Sequence, residues 1–441
     1  MLAHPVDPSD MLNASSESVR EQSRALMWFI GLPQLFLRKV TTGPARRACK
    51  KQIERRLTYW ENRQYKHLIE EWQADCLRQP PPSKRTQSRT AKIEAALRLI
   101  DEGEMSRGVR FLHSIATGMG IVDLDTPGVI EQLEAKHPKR KRRVPSFPEF
   151  GVPRRGPVEV DVVRKGRKLR RRARVGADGW RNEHIRAILQ LHGDVDADAT
   201  AELLNVFAGR FVGGMLPRWY YSLALIARML ALAKAKVGHI RQVPPVRPIG
   251  VGSSMTRLMG GGVVTAFLGI AKRLLCPIQV AVGVKGSADK LVFGMRALVK
   301  MKAGEQAGLR KLDVCNAFQE FDRSDVMRLI AAKEGDAAYV RQVEAWGEEQ
   351  VRQLQAMLPV VWAMLSVAPE LVKEGGESAG FHSEVGGTQG FPPTPIFFCI
   401  ALHPHLRAAE KRLKEHADWS VVRAQMDDAY LAGPVTALDE V

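Results

Sequence analysis

Two adjacent acids, Asp427 and Asp428, stand in Met426-Asp427-Asp428 between the short apolar runs Val421-Val422 and Ala429-Tyr430-Leu431. Paired acids where two strand-like runs meet in a tight hairpin can hold a cation. A third acid, Asp313, lies in Leu312-Asp313-Val314, whose apolar neighbours predict a buried strand, and a carboxylate leaves such a strand only for a partner or a ligand. Three carboxylates can hold two magnesium ions roughly 3.5 to 4 Å apart, a pair that stabilises the attacking and leaving oxygens of an in-line phosphoryl transfer. The same residues admit simpler roles: Asp313 as a cap of the following turn, Asp428 as a bond to the hairpin backbone, and the pair as an ordinary solvated turn.

The elements that must position these acids belong to a chain of 441 residues, 45% apolar and 26% charged, long enough for two or three domains with a real core. The net charge of +18 is unevenly spread. From Lys136 to Arg174 there are sixteen Lys and Arg, including Lys139, Arg140, Lys141, Arg142, Arg143, Arg170, Arg171 and Arg172, against only Glu149, Glu159 and Asp161. Such a run suits a polyanion-binding arm, and it also suits a solvated linker or a nuclear-localisation signal. Five scattered cysteines without C-x-x-C spacing support neither a zinc site nor a disulfide framework. The start lacks a basic region leading into an apolar core, and 25–37 is too short to span a bilayer and is interrupted by Gly31-Leu32-Pro33. The expectation is an intracellular protein of nucleus or cytoplasm, neither secreted nor membrane-bound.

Hydrophobic periodicity predicts helices over 14–30, 49–78 and 91–100, giving a helical N-terminal region at 1–135, with Gln79-Pro80-Pro81-Pro82 as a stop. Residues 136–175 read as a mobile basic linker. Beyond a boundary near 175, helices are expected at 183–191, 200–211, 289–302, 324–332, 338–365 and 395–416, and strands at 246–251 and 309–315. The run 222–232 fits either a strand or a buried helix. Mixed elements in this order predict an α+β domain over 176–441.

Four motifs follow one another: Arg247-Pro248-Ile249, Leu312-Asp313-Val314-Cys315-Asn316-Ala317-Phe318, Gly387-Thr388-Gln389-Gly390-Phe391-Pro392, and Met426-Asp427-Asp428. Their order and spacing resemble the reverse transcriptase domain of non-LTR (LINE-like) retrotransposons over residues 176–434. Gly176-Ala177-Asp178-Gly179-Trp180 and 279–286 are softer matches, and Gly103-Glu104-Met105-Ser106 through His137-Pro138 is a weaker echo of the region preceding the domain.

The resemblance implies a right-hand polymerase fold of palm and fingers. It implies that Asp313, Asp427 and Asp428 are the catalytic, metal-binding acids, holding two magnesium ions or manganese in their stead. It implies that Phe318 lies under the sugar of the incoming nucleotide and excludes a 2′-hydroxyl, and that Gln389 and Gly390 line the nucleotide and templating-base loop. Arg247 would contact the triphosphate, accompanied by Lys234 or Lys236. Asn316 and Arg323 match the pattern with structural roles. Plain core packing for Phe318 and an unliganded turn at Gln389-Gly390 remain as alternatives. The implied reaction is attack of a primer 3′-hydroxyl on the α-phosphate of a deoxynucleoside triphosphate, with an RNA template held along its backbone by the basic segment.

The chain departs from the family pattern at four places. Gln425 stands where an aromatic is usual, Phe391-Pro392-Pro393-Thr394-Pro395 follows Gln-Gly, Gly260-Gly261-Gly262 interrupts an expected helix, and only seven residues follow Pro434, so a thumb is expected to be missing. No endonuclease or RNase H pattern is visible. A truncated or decayed element protein, acting as a catalytically inactive basic nucleic-acid-binding remnant, is the alternative expectation.

Overall fold

The computed structural model describes residues 17–37, 45–78, 88–103, 105–117, 120–145, 157–171, 173–190, 195–234, 245–373 and 377–440. The fold is mixed α+β, 58% helical and 12% strand, and the strands form two small sheets. Lys236, Arg172 and the Gln79–Pro82 stop lie outside the described residues.

The N-terminal helix Glu17–Phe36 runs straight through Pro33, where the sequence predicts a break. A proline leaves the carbonyl four residues earlier without its helical donor. Here that carbonyl, of Phe29, accepts the indole N–H of Trp180 at 3.2 Å, so the orphan is satisfied by the domain against which the helix packs. The expected helix 49–78 is two helices, Ala45–Glu61 and Tyr65–Arg78, separated by a turn in which Arg63 takes φ +55°. Trp28 of the first helix packs against Trp60 and Tyr65 at 4.9 and 5.0 Å, which ties all three together.

The larger sheet is built on β2 (Ala227–Ala233). It pairs antiparallel along its full length with β3 (Val246–Gly252), antiparallel with the short β1 (Ile121–Val122), and parallel with β5 (Glu370–Val372), which carries β6 (Ser378–His382) on its far side. The ambiguous run 222–232 is therefore divided, its start ending the helix Arg218–Ala224 and its remainder forming β2. The smaller sheet has the order β4-β8-β7, with β4 spanning Ala307–Asp313, β7 Val421–Gln425 and β8 Asp428–Pro434. One face, through Val422, Ala424, Ala429 and Leu431, packs on Leu406 and Leu413 of the long helix Thr394–His416. On the other face the helix Ser287–Met301 covers Ala432, and Tyr430 and Val421 pack beside it, which leaves the end carrying the acids uncovered.

Three expectations are corrected. Residues 136–175 are not a mobile linker where they are described: Val160, Val162 and Val163 lie in the main core beside Ile185, Phe211 and Met259, because the alternation in Glu159-Val160-Asp161-Val162 sends the valines inward and the charges outward. The core thus crosses the expected boundary at 175. The single helix expected at 338–365 is three, Ala337–Trp346, Glu348–Gln355 and Leu358–Leu365, the first two meeting at Gly347 with φ +82°.

The triple glycine does not interrupt a helix either. It lies inside Ser254–Leu275, where Gly261 offers its carbonyl to Lys165 Nζ at 2.9 Å and Gly262 lets Val162 approach to a distance that a larger residue would crowd. This helix is the one among the described residues long and apolar enough to cross a bilayer, and it is instead a core helix, burying Met255, Met259, Val263 and Phe267.

Candidate active site

Register brings the acids together. In the antiparallel pairing of β4 with β8, Asp313 lies directly opposite Asp428, and directly opposite residues share a face of the sheet. Asp427 occupies the two-residue turn between β7 and β8, where Met426 at φ +59° reverses the chain, as hairpin turns of the primed type require. The Asp427 carbonyl accepts the amide of Val314 at 3.1 Å, which fastens the turn to the chain leaving Asp313. Acids from two segments more than a hundred residues apart thus meet at one open sheet end. The strand that carries Asp313 differs from the expected buried strand: β4 is an edge strand, and Leu309 and Leu312 are 45% and 40% exposed.

By donor type the set suits a hard divalent cation, three carboxylates being oxygen ligands of the kind magnesium takes. The side chains as they stand hold an ammonium instead. Lys311 Nζ lies 2.7 Å from Asp428 Oδ1, and the neighbouring negative charges raise the Lys311 pKa, the bond to Asp428 first and Asp313 among the rest. Among the described residues no three His, Cys, Asp or Glu side chains are grouped closely enough to hold a metal ion in this arrangement. A cation is already drawn to the acids. The sequence motifs do not include Lys311, though its place two positions before Asp313 on a strand puts it on the same face.

The loop 386–390 bridges the segment that follows β4 and strand β3. Gly386, at φ +59°, donates its amide to the Phe321 carbonyl at 2.9 Å, and Gly387 donates to that of Phe318 at 2.6 Å. A Cβ at Gly386 would come within 2.4 Å of the 318–319 backbone, so only glycine permits this approach. At the other end of the loop the Gln389 carbonyl accepts the Gly250 amide of β3 at 2.8 Å, and Gly390 at φ +114° lies against the Gly250 carbonyl. The loop therefore links Phe318, five residues past Asp313, to the strand that carries Arg247. Phe318 is half-buried and meets Phe398 edge-on at 5.4 Å.

Arg323 fixes the loop from beneath. Its fully buried guanidinium donates to the carbonyls of Gly386 at 2.6 Å, Val367 at 2.6 Å and Ser383 at 2.8 Å. Burial pulls its pKa down to about 9, which leaves it charged at neutral pH. Its part is structural, in keeping with the sequence pattern.

Arg247 is exposed on β3, and Lys136 joins it. Lys136 Nζ donates to the carbonyl of Val246, and its own carbonyl accepts Asn316 Nδ2 at 2.9 Å, three residues beyond Asp313. Lys234 flanks the same point, its amide donating to the Pro245 carbonyl at 2.8 Å. Desolvation first, then Lys234 and Arg247, push the Lys136 pKa down. The strip between β3 and Asn316 thus gathers three bases, with the Glu320 carboxylate at its Asn316 end, where Oε1 accepts Asn316 Nδ2 at 2.8 Å. Lys136 opens a run of sixteen bases, and nothing in the run marks it as a base that docks on β3.

The other bases of the segment divide by their contacts. Arg140 is bound to Glu384, its guanidinium donating to that carbonyl at 3.1 and 3.2 Å, and Arg142 lies 3.7 and 3.6 Å from Asp322 and Asp325. Lys139, Lys141 and Arg143 are exposed along the same strap. Arg170 and Arg171 are exposed elsewhere, beside Asn182, which donates to the Arg170 carbonyl at 2.8 Å. No protein-family model matches this chain, and no curated protein matches it.

Proposed function

We propose that this chain carries a template-directed nucleotidyl-transfer site of reverse transcriptase type, adding deoxynucleotides to a primer 3′-hydroxyl on an RNA template. The observation that carries the reading is the Asp313–Asp428 register with Asp427 in the adjoining turn. On this reading the β4-β8-β7 sheet is the palm, the β2–β3 sheet belongs to the fingers, and the loop 386–390 spans the nucleotide-binding space between them. Divalent cations, two magnesium ions or manganese in their place, supply charge stabilisation for the phosphoryl group when bound. Asp313, Asp427 and Asp428 would hold them. Arg247 and Lys136 draw in the triphosphate, Gln389 and Gly390 line its base and template side, and Phe318 restricts the sugar. Lys139, Lys141 and Arg143 meet the backbone of the nucleic acid.

The deciding experiment is primer extension on an RNA template by the wild-type chain and by Asp427→Asn. Replacing a charged ligand of this kind should lower extension by at least about 100-fold while thermal stability stays near wild type. Extension that survives the change would sink the reading.

A second reading has its own observation. Lys311 already neutralises Asp428, and no ready metal group stands among the described residues. A catalytically silent nucleic-acid-binding protein would keep that ion pair permanently. It would bind RNA with steep salt dependence and incorporate nothing under any divalent metal, so magnesium-dependent extension rules it out.

A further inference from the structure

The turn that carries Asp427 is held from behind by one fully buried side chain, that of Gln279. The segment after the helix Ser254–Leu275 lies alongside β7, where Ala424 donates to the Ile278 carbonyl at 2.7 Å and accepts from the Val280 amide at 2.9 Å. That ladder ends there, because Met426 at φ +59° has already left the strand. The Gln279 amide continues it. Its Nε2 donates to the Met426 carbonyl at 3.0 Å, and its Oε1 accepts the Met426 amide at 2.9 Å and the Ala281 amide at 3.4 Å.

These partners fix the orientation of the amide group: a donor must face the Met426 carbonyl and an acceptor its N–H. Asparagine is one methylene too short for both bonds, and glutamate offers no donor when ionised. Met426 immediately precedes Asp427, and the Asp427 carbonyl is tied on the opposite side to Val314. The backbone of Asp427 is therefore clamped between Gln279 and the end of β4.

We propose that Gln279 is a positioning residue that sets the Asp427 carboxylate against Asp313 for cation binding. This rests on the reading of the three acids as cation ligands. Supporting groups behind metal ligands typically change metal affinity by about 10- to 100-fold when removed. Gln279→Met keeps the side-chain length and removes both bonds to Met426.

The test measures Mn2+ affinity of the full chain by electron paramagnetic resonance, for wild type, Gln279→Met, Asp427→Asn and Tyr221→Phe. The last removes a buried bond from Tyr221 to the Phe211 carbonyl in the main core and serves as a stability control. The expected result is a loss of roughly 10-fold or more in Gln279→Met, with Tyr221→Phe within about twofold of wild type. Should Gln279→Met not fold, Gln279→Asn replaces it with the same expectation. Wild-type affinity in the Gln279 variant overturns the proposal and leaves the metal reading intact. Absence of Asp427-dependent Mn2+ binding in the wild type overturns both.

Discussion

The ring of Phe391 fills the space that a side chain at Gly260 would need. A Cβ built on Gly260 would come 2.8 Å from the ring Cε2 and 3.1 Å from Pro393 Cδ. The helix Ser254–Leu275 and the loop after Gln389-Gly390 therefore meet at backbone distance. Alanine in a helix interior gains about 1 kcal/mol over glycine, whereas overpacking a tight contact costs about 1 to 3 kcal/mol. Gly260→Ala should thus be destabilising in urea unfolding. With Phe391→Ala in place the closest contact is removed and only Pro393 Cδ at 3.1 Å remains, so the same substitution should cost less. A Gly260→Ala effect that does not depend on residue 391 would contradict this coupling.

That pair also marks the limit of what the sequence could disclose. Gly260-Gly261-Gly262 and Phe391-Pro392-Pro393 read as two separate departures from a family pattern, and their compensation shows only when residues more than a hundred positions apart are in contact. The acids are legible because hairpin and strand are local patterns, and alternation fixes which residues share a face. The exposure of β4 is not, since an apolar neighbour says nothing about whether a strand lies at a sheet edge. Density of charge at 136–174 masks the inward valines, and Lys136 looks like any other base of its run. Pro33 misleads for a different reason, because the acceptor it frees is answered by Trp180 from another part of the chain.

Phe318 offers a test that separates substrate selection from packing. The ring is half-buried and edge-on to Phe398, so Phe318→Ala should cost about 1 to 3 kcal/mol, below the range for a fully buried phenylalanine. If the ring also blocks a 2′-hydroxyl, the preference for deoxynucleotides over ribonucleotides should fall roughly 10- to 100-fold in single-nucleotide incorporation. An unchanged preference accompanied by loss of stability assigns Phe318 to the core alone.

The strap bases should behave unequally. Lys139 and Lys141 are exposed, and removing a base that neutralises one phosphate should reduce the salt slope of single-stranded RNA binding by about 0.7. Fluorescence anisotropy over a potassium chloride series measures this for Lys139→Ala and Lys141→Ala, with stability within about 0.5 kcal/mol of wild type. Arg140→Ala should do the reverse. Its guanidinium is committed to the Glu384 carbonyl, so its removal should cost about 1 to 3 kcal/mol and leave the slope nearly unchanged. Wild-type slopes for all three variants would show that the strap is not the phosphate-binding face.

Acid should weaken the fold through His403, which lies buried in the helix Thr394–His416 beneath the sheet that carries the acids. Its ring packs on Trp346 at 5.9 Å, and its Nδ1 has no partner. Burial first, then the positive charge of Arg407, lowers its pKa to about 4 from an ordinary 6.5, while Glu410 acts weakly in the other direction. The unfolded chain therefore takes up a proton near pH 6.5 that the native chain refuses until about pH 4. Stability rises with pH wherever the unfolded state binds more protons, so the contribution of His403 is fully present above pH 6.5 and disappears between 6.5 and 4. The whole difference is about 3 kcal/mol. His403→Phe keeps the ring contact and cannot titrate. Urea unfolding of both proteins between about pH 7.5 and pH 4 should show the wild type losing about 3 kcal/mol relative to the variant, and parallel pH profiles would mean that the native chain protonates His403 as readily as the unfolded chain does.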